Sequence, residues 1–268
     1  MNATFGFIGT GNMGGALARA AAKALKKEDL LLSDGYAPVA EALAQELGCT
    51  AVTTQKVAAE AGFIWLGVKP QVIASVLNDL APTLAARTDG FVLVSMAAGV
   101  CIDDIRRMAG GDYPVIRIMP NMPVRVGGGV ILYDYTENVS AEAVEAFRKS
   151  MEFAGLVDHL PEKLIDAGSA LSGCGPAFAS LFVEALADGA VKCGLPRDKA
   201  VSYAAQTIAG TAKMLLESGM HPGQLKDAVC SPGGSTIAGV EAMEQCGFRA
   251  AAMAAVVSAY ERTLELGK

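Results

Sequence analysis

The chain opens with a short apolar run, Thr4-Phe-Gly-Phe-Ile8, that turns directly into Gly9-Thr-Gly-Asn-Met-Gly14 and then into an alanine-rich stretch from Ala16 to Leu25. A strand, a Gly-x-Gly-x-x-Gly turn and a helix in immediate succession admit few folds. Gly9 permits the tight strand-to-helix turn. Gly11 has no Cβ, so a pyrophosphate can approach the backbone, and Gly14 lets the helix pack close to the strand. The free N–H groups of the first helical turn, with the helix dipole behind them, favour a phosphate. The motif alone is weak evidence. Flanked by strand and helix it predicts a dinucleotide site at Gly9, Thr10, Gly11, Asn12, Met13 and Gly14 rather than a merely glycine-rich turn.

The following residues keep the same rhythm. Apolar runs that read as buried parallel strands lie at Thr4–Ile8, Leu30–Ser33, Phe63–Val68, Phe91–Ser95 and Val115–Met119. Helical patterns at Met13–Leu25, Pro38–Leu47, Val57–Ala61, Gln71–Leu80 and Ile102–Met108 separate or follow them. Alternating β and α elements predict an α/β, doubly wound parallel sheet. Val130–Tyr133 reads as a further strand, Ser140 as the cap of a helix through Met151, and Gly155–Leu160 as a last strand. After Pro161 strand signals fade and helices take over at Leu164–Ser172, Ala177–Cys193, Asp198–Ser218, Pro222–Val229, Ile237–Glu244 and Phe248–Leu266. The boundary falls within residues 158–163, giving a dinucleotide-binding domain at 1–160 and a helical domain at 161–268.

The helix from Ala177 carries only Glu184, Asp188 and Lys192 as charges, spaced four apart on one narrow stripe. Nearly every other position is apolar or small, so most of its faces need cover. A domain of this size has few helices to give it, and the helical half is expected to build a subunit interface.

Composition excludes several classes. The 268 residues are 52% hydrophobic and 19% charged, enough for a large core. A net charge of −6 leaves no basic excess for nucleic acid. The six cysteines form no Cys-x-x-Cys and share no metal-like spacing with His159 and His221, so no metal site is expected. They read as free, mostly buried thiols in a reducing compartment. With no signal peptide pattern and no run of eighteen consecutive apolar residues, a soluble cytoplasmic protein without a membrane partner is expected.

Chemistry is expected at the carboxyl ends of the strands, where ligands bind in open α/β sheets. Gly67-Val-Lys-Pro70, Ser95-Met-Ala-Ala-Gly99 and Arg117-Ile-Met-Pro-Asn-Met-Pro123 close three of them. Lys69 reads either as a phosphate or ribose contact or as a solvated lysine. Asp34 follows Gly14 by twenty residues at the end of the second strand, where an acid binds the ribose hydroxyls of NAD and repels the extra phosphate of NADP. Ser33 beside it can hydrogen-bond that phosphate, so the residues leave NADP(H) and NAD(H) both open. In the helical half, Ser172-Gly-Cys-Gly-Pro176 and Ser231-Pro-Gly-Gly-Ser-Thr236 precede helices and read as anion cradles or as ordinary helix starts. The second adds hydroxyls at Ser231, Ser235 and Thr236, which suits a small carboxylate substrate. Neither histidine lies in a recognisable dyad, so the usual acid for reducing a ketone is missing. A protonated imine, already cationic, needs less help.

On Phe7-Ile-Gly-Thr-Gly-Asn-Met13, Val68-Lys-Pro-Gln71, Met119-Pro-Asn121, Leu171-Ser-Gly-Cys-Gly-Pro-Ala177, His221-Pro-Gly-Gln-Leu-Lys-Asp227 and Ser231-Pro-Gly-Gly-Ser-Thr-Ile237, the chain resembles the pyrroline-5-carboxylate reductases over essentially its full length. The resemblance implies an N-terminal Rossmann-like sheet and an all-helical C-terminal dimerisation domain, assembled as a homodimer or higher homo-oligomer. It implies an NAD(P)H-dependent oxidoreductase of proline biosynthesis that reduces 1-pyrroline-5-carboxylate to L-proline. Gly9 to Gly14, Gly67, Val68, Lys69 and Pro70, and Ala97, Ala98 and Gly99 match the family's NADP-contacting segments. Ser231, Gly233, Gly234, Ser235 and Thr236 match its substrate loop, with amides on the carboxylate and the Thr236 hydroxyl facing the ring nitrogen as the catalytic group. Glu162 matches an acidic position near the substrate, or is a solvated carboxylate at a helix start.

The chain departs from the family where Cys174 replaces a frequent serine, Ser235 a usual threonine and Ala228 a larger or polar side chain. Two rivals share the opening turn. A β-hydroxyacid dehydrogenase carries a catalytic lysine early in its second domain, and Ala167–Ser180 contains none. A non-catalytic NADP-binding protein has no use for the loop at Ser231–Thr236.

Overall fold

The computed structural model describes residues 4–266. Eight strands form one sheet: β1 Phe5–Ile8, β2 Leu30–Ser33, β3 Thr50–Ala51, β4 Phe63–Leu66, β5 Val92–Ser95, β6 Val115–Pro120, β7 Gly129–Tyr135 and β8 Gly155–His159. Their order is β3-β2-β1-β4-β5-β6-β7-β8. The helices between them are α1 Asn12–Ala24, α2 Ala37–Leu47, α3 Thr54–Glu60, α4 Pro70–Ala85, α5 Ile102–Ala109 and α6 Ala141–Ser150.

The strands β1, β2, β4 and β5 are buried at every position. Strands covered on both faces read as continuous apolar runs, which is why they were legible. Alternate residues feed two cores. Phe5, Phe7, Phe63 and Trp65 face one side with α1 and α6, where Trp65 stacks on Phe7 at 5.0 Å and on Phe147 at 5.6 Å. Ile8, Ile64 and Leu66 face the other, with Val57 of α3 and Ile73 and Leu77 of α4. Gly6 is glycine because α3 lies close: a Cβ there would sit 2.4 Å from Val57 Cγ1.

Two features modify the expected sheet. β3 has only two residues, too few to show a pattern. β7 runs antiparallel to β6, so the sheet is parallel except for that pair. A 3₁₀ turn at Met122–Val126 followed by Gly127, at φ 73°, returns the chain along the same edge without a crossover helix.

The remaining helices are α7 Glu162–Ser172, α8 Gly175–Lys192, α9 Arg197–Ser218, α10 Pro222–Val229, α11 Ser235–Gln245 and α12 Phe248–Leu266. Packing divides the chain at Cys174/Gly175 and again at Ala259/Tyr260, with the residues from Tyr260 grouped with the sheet, whereas the sequence changes character at 160/161. The reason lies in α7, which is helical in pattern yet packs on the sheet. Its Ile165 is fully buried with Met119 and Leu132, and a Cβ on Gly168 would meet Leu132 Cδ1 at 2.5 Å.

The second compact unit, Gly175–Ala259, is thinly covered by its own residues. On α8 only Ala187 is buried, on α9 only Ala200 and Ala204, and on α10 and α11 none. Leu181, Met214, Leu216 and Met253 are exposed. The segment Glu162–Lys192 is long and apolar enough to cross a membrane by length and composition, although it lacks the run of consecutive apolar residues sought in the sequence.

Candidate active site

Strand order reverses between β1 and β4, so the crevice at their carboxyl ends is the topological switch point. Three glycines shape it. Gly9 takes φ 89°, and its N–H donates to Ser33 O at 2.8 Å. A Cβ on Gly14 would sit 2.0 Å from Gly9 O, and one on Gly67 would sit 2.4 Å from the same atom. The loops after β1 and β4 therefore interlock backbone to backbone, a reason for Gly67 that the motif did not supply. Gly11 is the opposite case. It caps α1 at φ −64° and a Cβ there would meet nothing within 4 Å. No side chain caps α1, and its first turn holds no acid. Bare amides facing open space at Gly11, with close packing at Gly14, fit a dinucleotide pyrophosphate.

The flanking segments line the same end of the sheet. Lys69 is the exposed N-cap of α4, with Pro70 beginning the helix, and Lys69 makes no ion pair among the described residues. Val68 is half-buried. Ala97 is buried in the core, its N–H 3.4 Å from Ser95 Oγ, while Ala98 and Gly99 are exposed. Ser33 is 2% exposed, with its hydroxyl 2.8 Å from Thr54 Oγ1. Asp34 Oδ2 accepts from Thr10 N at 2.7 Å and from Thr10 Oγ1 at 3.3 Å, and its Oδ1 accepts from Tyr36 N at 3.0 Å.

A polar network that sequence reasoning missed fastens α7 to the sheet. Arg117 of β6, 4% exposed, donates to Glu162 Oε1 at 3.1 Å and to Asp166 Oδ1 at 3.0 Å. Glu162 Oε1 also accepts from Ile102 N at the start of α5, at 2.8 Å. Glu162 Oε2 carries no hydrogen bond among the described residues. The backbone N–H of Glu162 donates to Asp134 Oδ2, whose other oxygen lies 3.0 Å from His159 Nε2. Arg117 lies mid-strand in an apolar run, and the sequence marks it only as the first residue of the segment Arg117–Pro123 that closes that strand. Asn121 is likewise structural: its Nδ2 donates to Ser172 O and its Oδ1 accepts from Val130 N, each at 2.8 Å. Next to this region Cys101 Sγ donates to Asp104 Oδ2 at 3.0 Å. Burial first, then that carboxylate, pushes the Cys101 thiol above its ordinary pKa.

The second unit holds the other candidate loop. His221 Nδ1 accepts from Gly223 N at 3.1 Å and caps α10, so this imidazole is spent on a helix start. After α10 the chain turns through Ser231 and Gly233, at φ 67°, to Gly234, the N-cap of α11. Gly234 N donates to Ser231 O at 3.0 Å, and a Cβ on Gly234 would press on Ser231 Oγ at 2.4 Å. The helix begins at Ser235, earlier than the expected Ile237, so Ser235 and Thr236 lie in its first turn. Their amides have no intrahelical acceptor, no side chain caps the helix, and the first turn contains no acid. Ser231, Ser235 and Thr236 are all exposed. The other glycine-rich stretch, Gly173-Cys174, is a short break between α7 and α8.

Residues 4–99 match the family model described as NADP oxidoreductase coenzyme F420-dependent, and residues 162–266 match pyrroline-5-carboxylate reductase dimerisation. The pyrroline-5-carboxylate reductase of Methanosarcina acetivorans is 40% identical over 270 residues, covering 100% of this chain and 99% of that one. The Escherichia coli enzyme of the same name is 38% identical, with 100% of both chains covered. A Plasmodium falciparum pyrroline carboxylate reductase, solved with NADP bound, superposes with a TM-score of 0.84 at 32% identity over 99% of this chain and 98% of its own. With both halves of its architecture accounted for at full length, the chain belongs to the pyrroline-5-carboxylate reductase family of NADP-linked oxidoreductases.

Proposed function

We propose that the chain reduces 1-pyrroline-5-carboxylate to L-proline with a nicotinamide dinucleotide, the last step of proline biosynthesis. The observation that carries this reading is the loop at Ser231–Thr236. Free amides, hydroxyls and a helix N-terminus without a neighbouring acid suit a small substrate whose carboxylate sits beside a polar ring atom. Ser231, Gly233, Gly234 and Ser235 hold the carboxylate, and the hydroxyl of Thr236 faces the ring nitrogen. Glu162 contributes through Oε2 while Arg117 fixes its orientation. Gly9, Thr10, Gly11, Asn12, Met13 and Gly14 seat the pyrophosphate. Ser33, Gly67, Val68, Lys69, Pro70, Ala97, Ala98 and Gly99 shape the rest of the dinucleotide crevice.

When bound, a reduced nicotinamide supplies the hydride that the C=N carbon accepts. A protonated imine already carries the charge that a ketone must acquire, so a strong general acid is dispensable. The surroundings of the histidines agree: His159 is paired with Asp134, and His221 caps a helix. A threonine hydroxyl is a weak acid, so positioning supplies much of the rate.

The same reading includes a homodimer or higher homo-oligomer in the cytoplasm. Its support is the exposed apolar surface of α8, α9 and α12, the match of 162–266 to a dimerisation model and the free state of all six cysteines. The apolar segment Glu162–Lys192 falls in that matched region, where a partner subunit would cover its α8 part.

The test follows NADPH and NADH oxidation by absorbance with the imine, and with a 3-hydroxyacid in the oxidative direction as control. Thr236→Ala should lower turnover by about 10- to 100-fold while dinucleotide affinity stays within about twofold. Turnover on the hydroxyacid alone would move the chain to the β-hydroxyacid dehydrogenases. An equal loss of dinucleotide affinity would remove Thr236 from the catalytic role.

A further inference from the structure

The adenosine end of the dinucleotide crevice has a charge pattern of its own. At the carboxyl end of β2 a cleft of about 500 Å³ opens between the loop after β2, α2 and the start of α3. Its charged lining consists of Asp34 and Glu41, with no lysine, arginine or histidine; Ser33, Thr53, Thr54 and Gln55 complete its polar wall. Asp34 is rigidly placed. One oxygen accepts from Thr10 N and Thr10 Oγ1, inside the glycine turn, and the other from Tyr36 N. The Thr10 bonds tie the carboxylate to the loop that seats the pyrophosphate, at the position where an acid meets the ribose 2′-hydroxyl.

The groups that would neutralise a 2′-phosphate are absent or engaged. Ser33, the one residue that left the cofactor open from sequence, is buried with its hydroxyl against Thr54. Lys56 on α3 does not line the cleft and lies 3.9 Å from Glu60. Arg19 on α1 is held by Glu46 of α2 through two bonds, at 2.7 and 2.6 Å. Glu41 makes no ion pair among the described residues.

We propose that the Asp34 carboxylate, with Glu41 at the rim, selects a ribose 2′-hydroxyl over a 2′-phosphate, so that this chain prefers NADH to NADPH within an NADP-linked family. The proposal rests on the reading of Gly9–Gly14 as a dinucleotide site and sharpens it. A phosphate adds nearly two negative charges beside a fixed carboxylate with no cation to offset them. A diol instead donates to that carboxylate.

The experiment is calorimetric titration of the full-length chain with NADH and, separately, NADPH at one pH and salt concentration. The wild type should bind NADH at least about tenfold more tightly. Asp34→Asn keeps shape and an acceptor but removes the charge, and should narrow that ratio by at least about threefold through tighter NADPH binding. Glu41→Lys leaves the Asp34–Thr10 bond alone and should act in the same direction. This second variant keeps the test open if Asp34→Asn loosens the turn. NADPH binding as tight as NADH in the wild type, or a ratio unmoved by both variants, would overturn the proposal. If NADPH binds more tightly and the imine is still reduced, only the selectivity fails. If neither dinucleotide binds, the proposed function fails with it.

Discussion

Two glycines of one motif should fail in different ways. At Gly14 a Cβ would lie 2.0 Å from Gly9 O and 3.1 Å from Gly9 C. An ordinary carbon–oxygen contact is about 3.3 Å or longer, so α1 must retreat from the loop by more than about 1 Å. Gly9 cannot yield, because at φ 89° it lies so close to the Gly67 backbone that a Cβ of its own would meet Gly67 C and O at 2.7 Å. Overpacking of this kind costs about 1–3 kcal/mol, and a backbone clash lies at the upper end. Alanine returns up to about 1 kcal/mol of helix propensity, leaving Gly14→Ala destabilised by about 2 kcal/mol. At Gly11 the added methyl meets no protein atom and φ is already ordinary. Gly11→Ala should leave stability within about 0.5 kcal/mol. It fills the space where phosphate oxygens approach the amides, and so should weaken dinucleotide binding by about 5- to 150-fold, equivalent to about 1–3 kcal/mol.

The single tryptophan makes the assay specific. Trp65 is fully buried between Phe7 and Phe147, beside the altered loop. Its fluorescence in urea reports unfolding of the sheet unit, and a loss of about 2 kcal/mol moves the midpoint by about 1 M at a typical slope. Calorimetric titration gives the binding arm. A Gly11→Ala midpoint that falls as far as that of Gly14→Ala would refute the reasoning. So would a Gly14→Ala protein that keeps both stability and affinity.

Two further predictions come from the polar contacts. Asn121→Ala removes the side chain that bonds both Val130 N and Ser172 O, and should lower stability by about 2–4 kcal/mol in the same urea assay; a shift below about 0.5 kcal/mol would mean that water replaces both bonds. Burial and the Asp104 carboxylate raise the Cys101 thiol pKa, so its thiolate fraction is depressed at any pH below that raised value. Asp104→Asn should bring the onset of Cys101 alkylation to lower pH, read by peptide mass spectrometry after iodoacetamide pulses. An unchanged pH profile would show that burial alone sets the thiol.

What the sequence determined by itself were features dictated by local sterics and periodicity. The turn at Gly9–Gly14 needs its residue types for reasons internal to the loop, and the fully buried strands announce themselves by continuous apolar runs. The bounds of α10 and the cap at Ser140 were legible for the same reason. Tertiary structure decided whatever depends on which segments meet. Gly67 is glycine because Gly9, fifty-eight residues earlier, presses on it, and α7 belongs with the sheet because Ile165 and Gly168 find Met119 and Leu132 there. Arg117 is tolerated inside an apolar strand because Glu162 and Asp166 arrive from α7 to pair with it. The state of Ser33 belongs to the same class. In sequence it stands beside Asp34 as a candidate for a phosphate, and only the approach of Thr54, twenty-one residues on, gives its hydroxyl a partner at 2.8 Å. Hydrogen-bond partners are chosen by the packing of remote elements, and no local pattern of residues encodes that choice.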